Sequence, residues 1–256
     1  MKIIDTHAHL EEIENLEQAL KEAEHAGVEG IVAMSMDLAS CRKTLEIKKD
    51  HPRPQIHAAM GMHPSEVNLN DLTAIVQMIG EHSQELVAIG EIGLDFWYKS
   101  VKKDKAKKNE QRKVFATFLD LAKELNLPVV IHSRGAWREC FEMTKSSGVK
   151  KANFHWYSGP LDVLSDIMKS GYFVSTSPSL AYSPQSREAV SQANIEQLLI
   201  ETDSPVYYQI SPDEGFKSGP KDVFRTLEAY CALKNMQPDQ AAAIFNRNAK
   251  NFFELK

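Results

Sequence analysis

The chain opens with MKIIDTHAHLEE, residues 1–12, in which a short apolar run leads into a carboxylate and two imidazoles. Side chains two residues apart on a β-strand project to the same face, so Asp5, His7 and His9 are expected to share one. A row of polar groups at the end of a buried strand is costly unless a partner satisfies it. This stretch therefore predicts a core strand whose far end enters a polar site.

Seven more short apolar runs follow the first along the chain. Runs without alternation are typical of parallel strands that are buried on both faces. The eight runs are KIID (2–5), GVEGIVAMS (27–35), QIHAAMGMHP (55–64), LVAIGEIGLD (86–95), PVVIHSR (128–134), KANFHWYS (151–158), YFVSTS (172–177) and QLLIETDSP (197–205).

Amphipathic segments separate most of these runs and predict helices, the first of which should stop at Gly27. Two more helical segments follow the eighth run. Eight strand–helix units in a chain of 256 residues predict a single-domain α/β fold over residues 1–256, a (β/α)8 TIM barrel. A doubly wound open sheet is the alternative. Residues 97–109 and 206–219 are predicted to be irregular loops on the face where the strands end.

The composition of the chain argues against several classes of protein. The formal net charge of −5 argues against a general nucleic-acid binder, which would usually be basic, but allows a local basic patch. Cys41, Cys140 and Cys231 have neither zinc-site nor disulfide spacing and are expected to be free thiols in a reducing compartment. No signal peptide or membrane span is visible. We therefore expect a cytoplasmic protein without a membrane or an obligate protein partner.

Ligand-type side chains cluster at the predicted strand ends. In a barrel these ends converge on one face, where active sites are found. Imidazoles and carboxylates without thiolates suit Zn, Mn, Co, Fe or Mg, and there are more of them here than one tetrahedral site needs. Two metals bridged by a carboxylate are therefore the sharper hypothesis. The residues concerned are His7, His9, His63, Glu91, His132, His155 and Asp203.

Seven motifs occur in order over nearly the whole chain, and together they resemble the TatD family of metal-dependent deoxyribonucleases, within the amidohydrolase superfamily of (β/α)8 barrels. An HxH pair alone is a weak signal, whereas this ordered set is a strong one. The motifs are DTHAHL (5–10), GMHPSE (61–66), GEIGLDF (90–96), LPVVIHSRGA (127–136), FHWYSG (154–159), LLIETDSP (198–205) and NRNAKNFFEL (246–255).

The resemblance implies a metal-dependent hydrolase with two divalent metal ions, Mg²⁺, Mn²⁺ or Zn²⁺. Asp203 would also act as the general base, taking a proton from the water that attacks phosphorus. By the same resemblance, the implied ligands are His7, His9 and Asp203 for one metal, His132 and His155 for the other, and Glu91 between the two.

Further residues are predicted to serve the substrate or the ligands. His63 is interpreted as a contact for the scissile phosphate or leaving group, not as a ligand. Arg134 would hold a phosphate, with a structural ion pair as the alternative. Asp5 is predicted to support the ligands from behind, and so is Glu201, with a position near the substrate as the alternative.

Three departures from the family pattern bear on the substrate. One is the loop after the eighth run, ETDSPVYYQISPDEGFKSGPKDV (201–223), which keeps the candidate ligand Asp203 but otherwise differs from the family. Where the family usually has Cys-Phe, this chain has Trp156-Tyr157, which predicts large aromatic side chains at the pocket wall, either stacked on a base or packed in the barrel rim. The segment 99–108 is unusually basic. It would guide a polyanion beside the metals, unless it is only a solvated surface.

The resemblance and these features predict DNA as the substrate, in single strands or at frayed ends. Hydrolysis of an ester, lactone or amide, including deacylation of aminoacyl-tRNA, is the alternative, because a two-metal site activates water for either electrophile. A non-catalytic metal-binding or nucleic-acid-binding module is the third possibility.

Overall fold

Eight parallel strands form the centre of the computed structural model, which describes residues 1–255. They are β1 (Ile3–Ala8), β2 (Val28–Met34), β3 (Gln55–Met60), β4 (Leu86–Gly93), β5 (Val129–His132), β6 (Ala152–Phe154), β7 (Phe173–Thr176) and β8 (Leu198–Ile200). Each strand pairs with the next in the order β1 to β8. An open doubly wound sheet would reverse its strand order at a switch point, so the predicted TIM barrel is confirmed.

The ring closes between β1 and the segment that follows β8. The N–H of Asp203 donates to the carbonyl of His7 at 2.9 Å, and the N–H of His9 donates to the carbonyl of Ser204 at 2.8 Å. Ala8 and Ser204 form the parallel bridge between these two bonds. The seam that closes the barrel therefore brings three predicted metal ligands side by side.

Helices follow the strands around the outside. They are α1 (Leu16–Ala26), α2 (Leu38–Asp50), α3 (Leu69–Glu81), α4 (Lys105–Leu125), α5 (Trp137–Ser147), α6 (Leu161–Lys169), α7 (Pro184–Gln192), α8 (Val223–Lys234) and α9 (Pro238–Phe253). Gly27 ends α1 in the left-handed conformation, as predicted. Helix α2 had no predicted counterpart, and a capping box between Asp37 and Ser40 starts it.

The two predicted irregular loops were wrong in part. Helix α4 already begins at Lys105, because the Asp104 carboxylate accepts hydrogen bonds from the N–H groups of Ala106 and Lys107. The second segment forms an antiparallel hairpin of β9 (Tyr207–Ser211) and β10 (Glu214–Lys217). Both elements still lie on the side where the strands end.

Apolar side chains fill the barrel, and α9 covers its lower opening. Ile4, Val32, Val130 and Leu199 meet inside the ring and pack with residues of α9 such as Phe252. The predicted single domain of residues 1–256 includes Lys256, which lies outside the described residues. Within residues 1–255, no helix is both long and apolar enough to cross a bilayer.

Candidate metal centre

All seven ligand-type residues predicted at the strand ends meet above the apolar core. The polar row on β1 continues past the strand as predicted, because His7 lies within β1 and His9 just beyond it. Every one of the side chains is mostly buried. The cluster consists of His7, His9, His63, Glu91, His132, His155 and Asp203.

One group of ligand atoms lies at the barrel seam. The Nε2 atoms of His7 and His9 are 3.2 Å apart, and each is 3.3 Å from Oδ1 of Asp203. Oε2 of Glu91 lies 3.2 Å from the first nitrogen and 3.4 Å from the second. Four ligands placed tetrahedrally at zinc distances would be about 3.3 Å apart. The spacing therefore fits a divalent cation.

The hydrogen bonding in this group also fits a cation. Oδ1 of Asp203 is buried and has no hydrogen-bond partner among residues 1–255, although two imidazole nitrogens are close to it. Asp203 itself has a φ of 48°, in the left-handed region that few residues other than glycine adopt. The backbone is thus held in an unfavourable region while the carboxylate oxygen is left without a protein donor.

A second group of ligand atoms surrounds the other oxygen of Glu91. Oε1 lies 2.8 Å from Nδ1 of His132 and 2.7 Å from Nε2 of His155, and these two nitrogens are 3.3 Å apart. The two carboxylate oxygens of Glu91 thus face two different sets of imidazoles. This is the arrangement that a carboxylate bridging two cations requires.

His63 lies closer to the ligands than its predicted role suggested. Its Nε2 atom is 3.2 Å from Nδ1 of His132, and its Nδ1 atom is 2.6 Å from the hydroxyl of Ser65. Together with Glu91 and His132 it forms a group of three with metal-ligand spacing. Burial lowers the pKa of His63 to about 3, so the imidazole is neutral. The geometry accommodates a ligand role as well as the predicted substrate contact.

The carboxylates and imidazoles stabilise each other's charges. Burial opposes ionisation of His9, but the nearby carboxylates of Asp203 and Glu91 raise its pKa well above the usual value. Burial likewise opposes ionisation of Asp203, yet the neighbouring histidines lower its pKa to about 2. Glu91 also has a pKa well below its usual value, because His155 and its neighbours outweigh burial. Both carboxylates are therefore ionised, as metal ligands must be.

Asp95 supports the centre, although it was not predicted as a site residue. Its Oδ2 atom lies 2.9 Å from Nε2 of His132 and accepts from Nε of Arg134 at 2.7 Å. Its Oδ1 atom accepts from the N–H groups of Trp97 at 2.8 Å and Tyr98 at 3.2 Å. Asp95 is four residues after Glu91, an even spacing that would place both side chains on one face if β4 continued past Gly93. That spacing is the signal that could have identified it.

Glu201 and Asp5 lie behind the ligands, where they were predicted. Glu201 is 3.3 Å from Nδ1 of His155 and accepts from the N–H of Trp156 and the hydroxyl of Ser175. Asp5 is fully buried and accepts two hydrogen bonds from Thr202, at 3.0 and 2.6 Å. Glu201 orients the imidazole of His155, and Asp5 fixes the backbone next to Asp203.

Glu11 is a further buried carboxylate that the sequence interpretation overlooked. Its Oε1 atom lies 4.0 Å from Nδ1 of His9, and neither oxygen has a hydrogen-bond partner within the described part of the chain. Burial raises the pKa of Glu11 to about 7. Its place two residues after His9 was visible in the sequence, but its burial was not.

A cavity of about 610 Å³ opens above the ligands and contains most of the predicted substrate residues. Arg134 lines it while paired with Asp95, so the alternative predicted for this residue, a structural ion pair, is present. Trp156 also lines the cavity, with its indole N–H donating to Ser179. Tyr157 does not. It is buried in the core with its hydroxyl donating to the carbonyl of Pro160, so the prediction of two aromatic side chains at the pocket wall was wrong.

Comparisons with known proteins agree with this architecture. The chain matches the family described as TatD related DNase over residues 4–254. It is 32% identical to an uncharacterized metal-dependent hydrolase, MJ1582, of Methanocaldococcus jannaschii, covering 100% of this chain and 98% of the relative. It is 29% identical to human deoxyribonuclease TATDN3, covering 98% and 94%.

A solved structure shows the same fold. The crystal structure of YjjV, a TatD homolog from Escherichia coli, superposes with a TM-score of 0.89 at 24% identity and covers 99% of this chain and 98% of the other. The family match spans nearly the whole chain and includes every strand that carries a candidate ligand. The chain therefore belongs to the TatD-related DNase family.

Proposed function

We propose that this chain is a metal-dependent hydrolase that cleaves phosphodiester bonds in DNA, in single strands or at frayed ends. The observation that carries the proposal is the carboxylate of Glu91, whose two oxygens face two separate sets of ligand atoms. The family membership and the relatives named as deoxyribonucleases and metal-dependent hydrolases support it. They do not favour the alternative of an ester, lactone or amide hydrolase.

Six residues would hold two divalent cations, Mg²⁺, Mn²⁺ or Zn²⁺. Such cations supply a hydrolytic nucleophile at neutral pH and neutralise the charge that develops on phosphoryl oxygens. Support comes from the ligand spacing and from the unpartnered oxygen of Asp203. The proposed ligands are His7, His9 and Asp203 on one side, His132 and His155 on the other, and Glu91 between them.

Other roles in the reaction would belong to side chains of the protein. Asp203 would accept the proton of the attacking water, for which its ionised state suits it. His63 and Arg134 would contact the phosphate, because both line the cavity beside the ligands. The guanidinium of Arg134 pairs with Asp95 through Nε, which leaves its outer nitrogens for a phosphate. Trp156 would pack against a base.

The cytoplasm remains the proposed location. Cys41, Cys140 and Cys231 are all free and buried, which agrees with a reducing compartment.

A cleavage assay tests the proposal. The purified chain is incubated with end-labelled single-stranded DNA and Mg²⁺, Mn²⁺ or Zn²⁺, with and without a chelator. Loss of a general base costs about 10²- to 10⁴-fold, so we expect a decrease of that size for Asp203→Asn. The control is Asp162→Asn, which removes an exposed carboxylate paired with Arg138. Chelator-insensitive cleavage, or full activity of Asp203→Asn, would overturn the mechanism. Hydrolysis of a simple ester without any cleavage of nucleic acid would favour the alternative.

A further inference from the structure

The indole rings of Trp97 and Trp137 lie side by side between the solvent and the metal cavity. Trp97 is 56% exposed, one of the few large apolar side chains with that much surface in residues 1–255. Its ring meets that of Trp137 edge to face, with centroids 5.3 Å apart. Trp137 in turn lines the cavity that contains His132 and His155. The pair thus forms a continuous aromatic surface that ends at the metal ligands.

The exposed ring is held rigidly. The backbone N–H of Trp97 donates to Asp95, the carboxylate that also contacts His132. The indole lies directly on Gly135, where an added Cβ would come within 2.3 Å of the ring. Trp137 lies on Gly159 in the same way, at 2.6 Å. A rigid aromatic side chain loses little conformational entropy when it binds a flat partner.

Free positive charge lies next to this surface. Lys99, Lys102 and Lys103 follow Trp97 in a turn, all are exposed, and none of them makes an ion pair within the described residues. Some surface lysines are paired, for example Lys217 with Glu14 at 2.8 Å, while others away from the cavity, such as Lys49 and Lys169, are as exposed and unpaired within residues 1–255 as these three. What distinguishes the three lysines is their place beside the exposed ring of Trp97. Against a net charge of −5, unpaired lysines beside exposed aromatic rings indicate a polyanionic ligand.

We propose that Trp97 and Trp137 form a stacking platform for the bases of single-stranded DNA just outside the metal cavity, with the 99–103 turn holding the phosphates. This inference rests on the proposed nuclease function. Aromatic rings beside a basic groove are the usual means of binding single strands without sequence preference. Paired bases in a duplex do not offer their faces, so the platform selects unpaired ends.

Binding of fluorescein-labelled oligothymidylates of two and eight nucleotides, measured by anisotropy in the presence of EDTA, tests the platform. Loss of base stacking is expected to weaken binding of the octamer to Trp97→Ala by about 5- to 150-fold. The dinucleotide, which is confined to the cavity, should bind unchanged. The control is Leu69→Ala, which removes another exposed apolar side chain. For Lys102→Ala, the salt dependence of octamer binding should fall by about 0.7 in slope.

A second variant shows whether weaker binding comes from loss of the aromatic ring or from misfolding. Trp97→Phe keeps a ring, so it should retain most of the octamer affinity while losing the part of the tryptophan fluorescence that the octamer quenches. If the wild type cleaves DNA but Trp97→Ala binds the octamer as tightly as wild type, the platform is wrong and the proposed function stands. If the wild type neither binds nor cleaves single strands, both are wrong.

Discussion

Replacement of Asp95 by Asn tests whether the residues behind the ligands control metal binding. Four donors converge on this carboxylate: two backbone N–H groups on Oδ1, and His132 and Arg134 on Oδ2. An Asn side chain has the same shape but only one acceptor oxygen. Whichever way the amide turns, its NH₂ group faces two donors.

The loss of metal affinity in Asp95→Asn depends on which donor loses its acceptor. If the amide NH₂ group takes the place of Oδ2, it faces His132 and Arg134. The side chain of Arg134 is 45% exposed and can turn to water, whereas that of His132 is only 15% exposed and cannot. A buried donor without an acceptor costs about 1–3 kcal/mol. His132 can avoid this cost by moving its proton to Nδ1, but that nitrogen faces Glu91 and is the proposed ligand atom. Metal affinity should therefore fall by about 10- to 100-fold.

Calorimetric titration with Zn²⁺ or Mn²⁺ measures this affinity directly, and thermal unfolding in EDTA measures the stability of the metal-free protein. Asp162→Asn is the matched control, because it removes one partner of an exposed ion pair and should leave both stability and metal affinity nearly unchanged. Wild-type metal affinity in Asp95→Asn would refute the reasoning that Asp95 fixes the proton of His132.

Three further predictions concern stability and metal binding. Gly135→Ala should destabilise the protein by about 2–4 kcal/mol, because a positive φ adds to a clash with Trp97. Gly148→Ala has a similar φ of 80° but would make only ordinary contact with Lys123, at 3.7 Å, and should cost only about 1–2 kcal/mol. Equal losses in denaturant unfolding would exclude the clash. Glu201→Gln should lower metal affinity by about 10- to 100-fold through His155, and unchanged calorimetric titration would contradict that support. A divalent cation at 100 times its Kd should add about 2.7 kcal/mol, which corresponds to a rise in Tm of about 5–10 °C; an unchanged Tm would argue against a metal site.

The sequence predicted most of the barrel because its strands are buried on both faces and so appear as uninterrupted apolar runs. The polar row of β1 could also be predicted, because period-two spacing places His7 and His9 on one face of the strand. In a parallel barrel the carboxyl ends of all strands converge on one face, and this is why all seven candidate ligands could be predicted from one chain. The number and identity of the metals do not follow from periodicity.

Features that depend on long-range contacts were harder to predict. The β9–β10 hairpin depends on tertiary contacts, such as the hydrogen bond of the Tyr208 hydroxyl to the carbonyl of Thr202 and the packing of its ring on Trp156. The even spacing of Asp95 from Glu91 was a signal in the sequence, but the contact of Asp95 with His132 depends on the neighbouring strand. Trp156 and Tyr157 were both predicted at the pocket wall, but only Trp156 lines the cavity.

Anomalous diffraction from crystals soaked in Mn²⁺ tests the central claim most directly, because it locates the cations without reference to activity. The account predicts two peaks beside the carboxylate of Glu91, one next to His7, His9 and Asp203 and one next to His132 and His155. Absence of any peak among these residues at saturating Mn²⁺, or peaks only elsewhere on the protein, would contradict it.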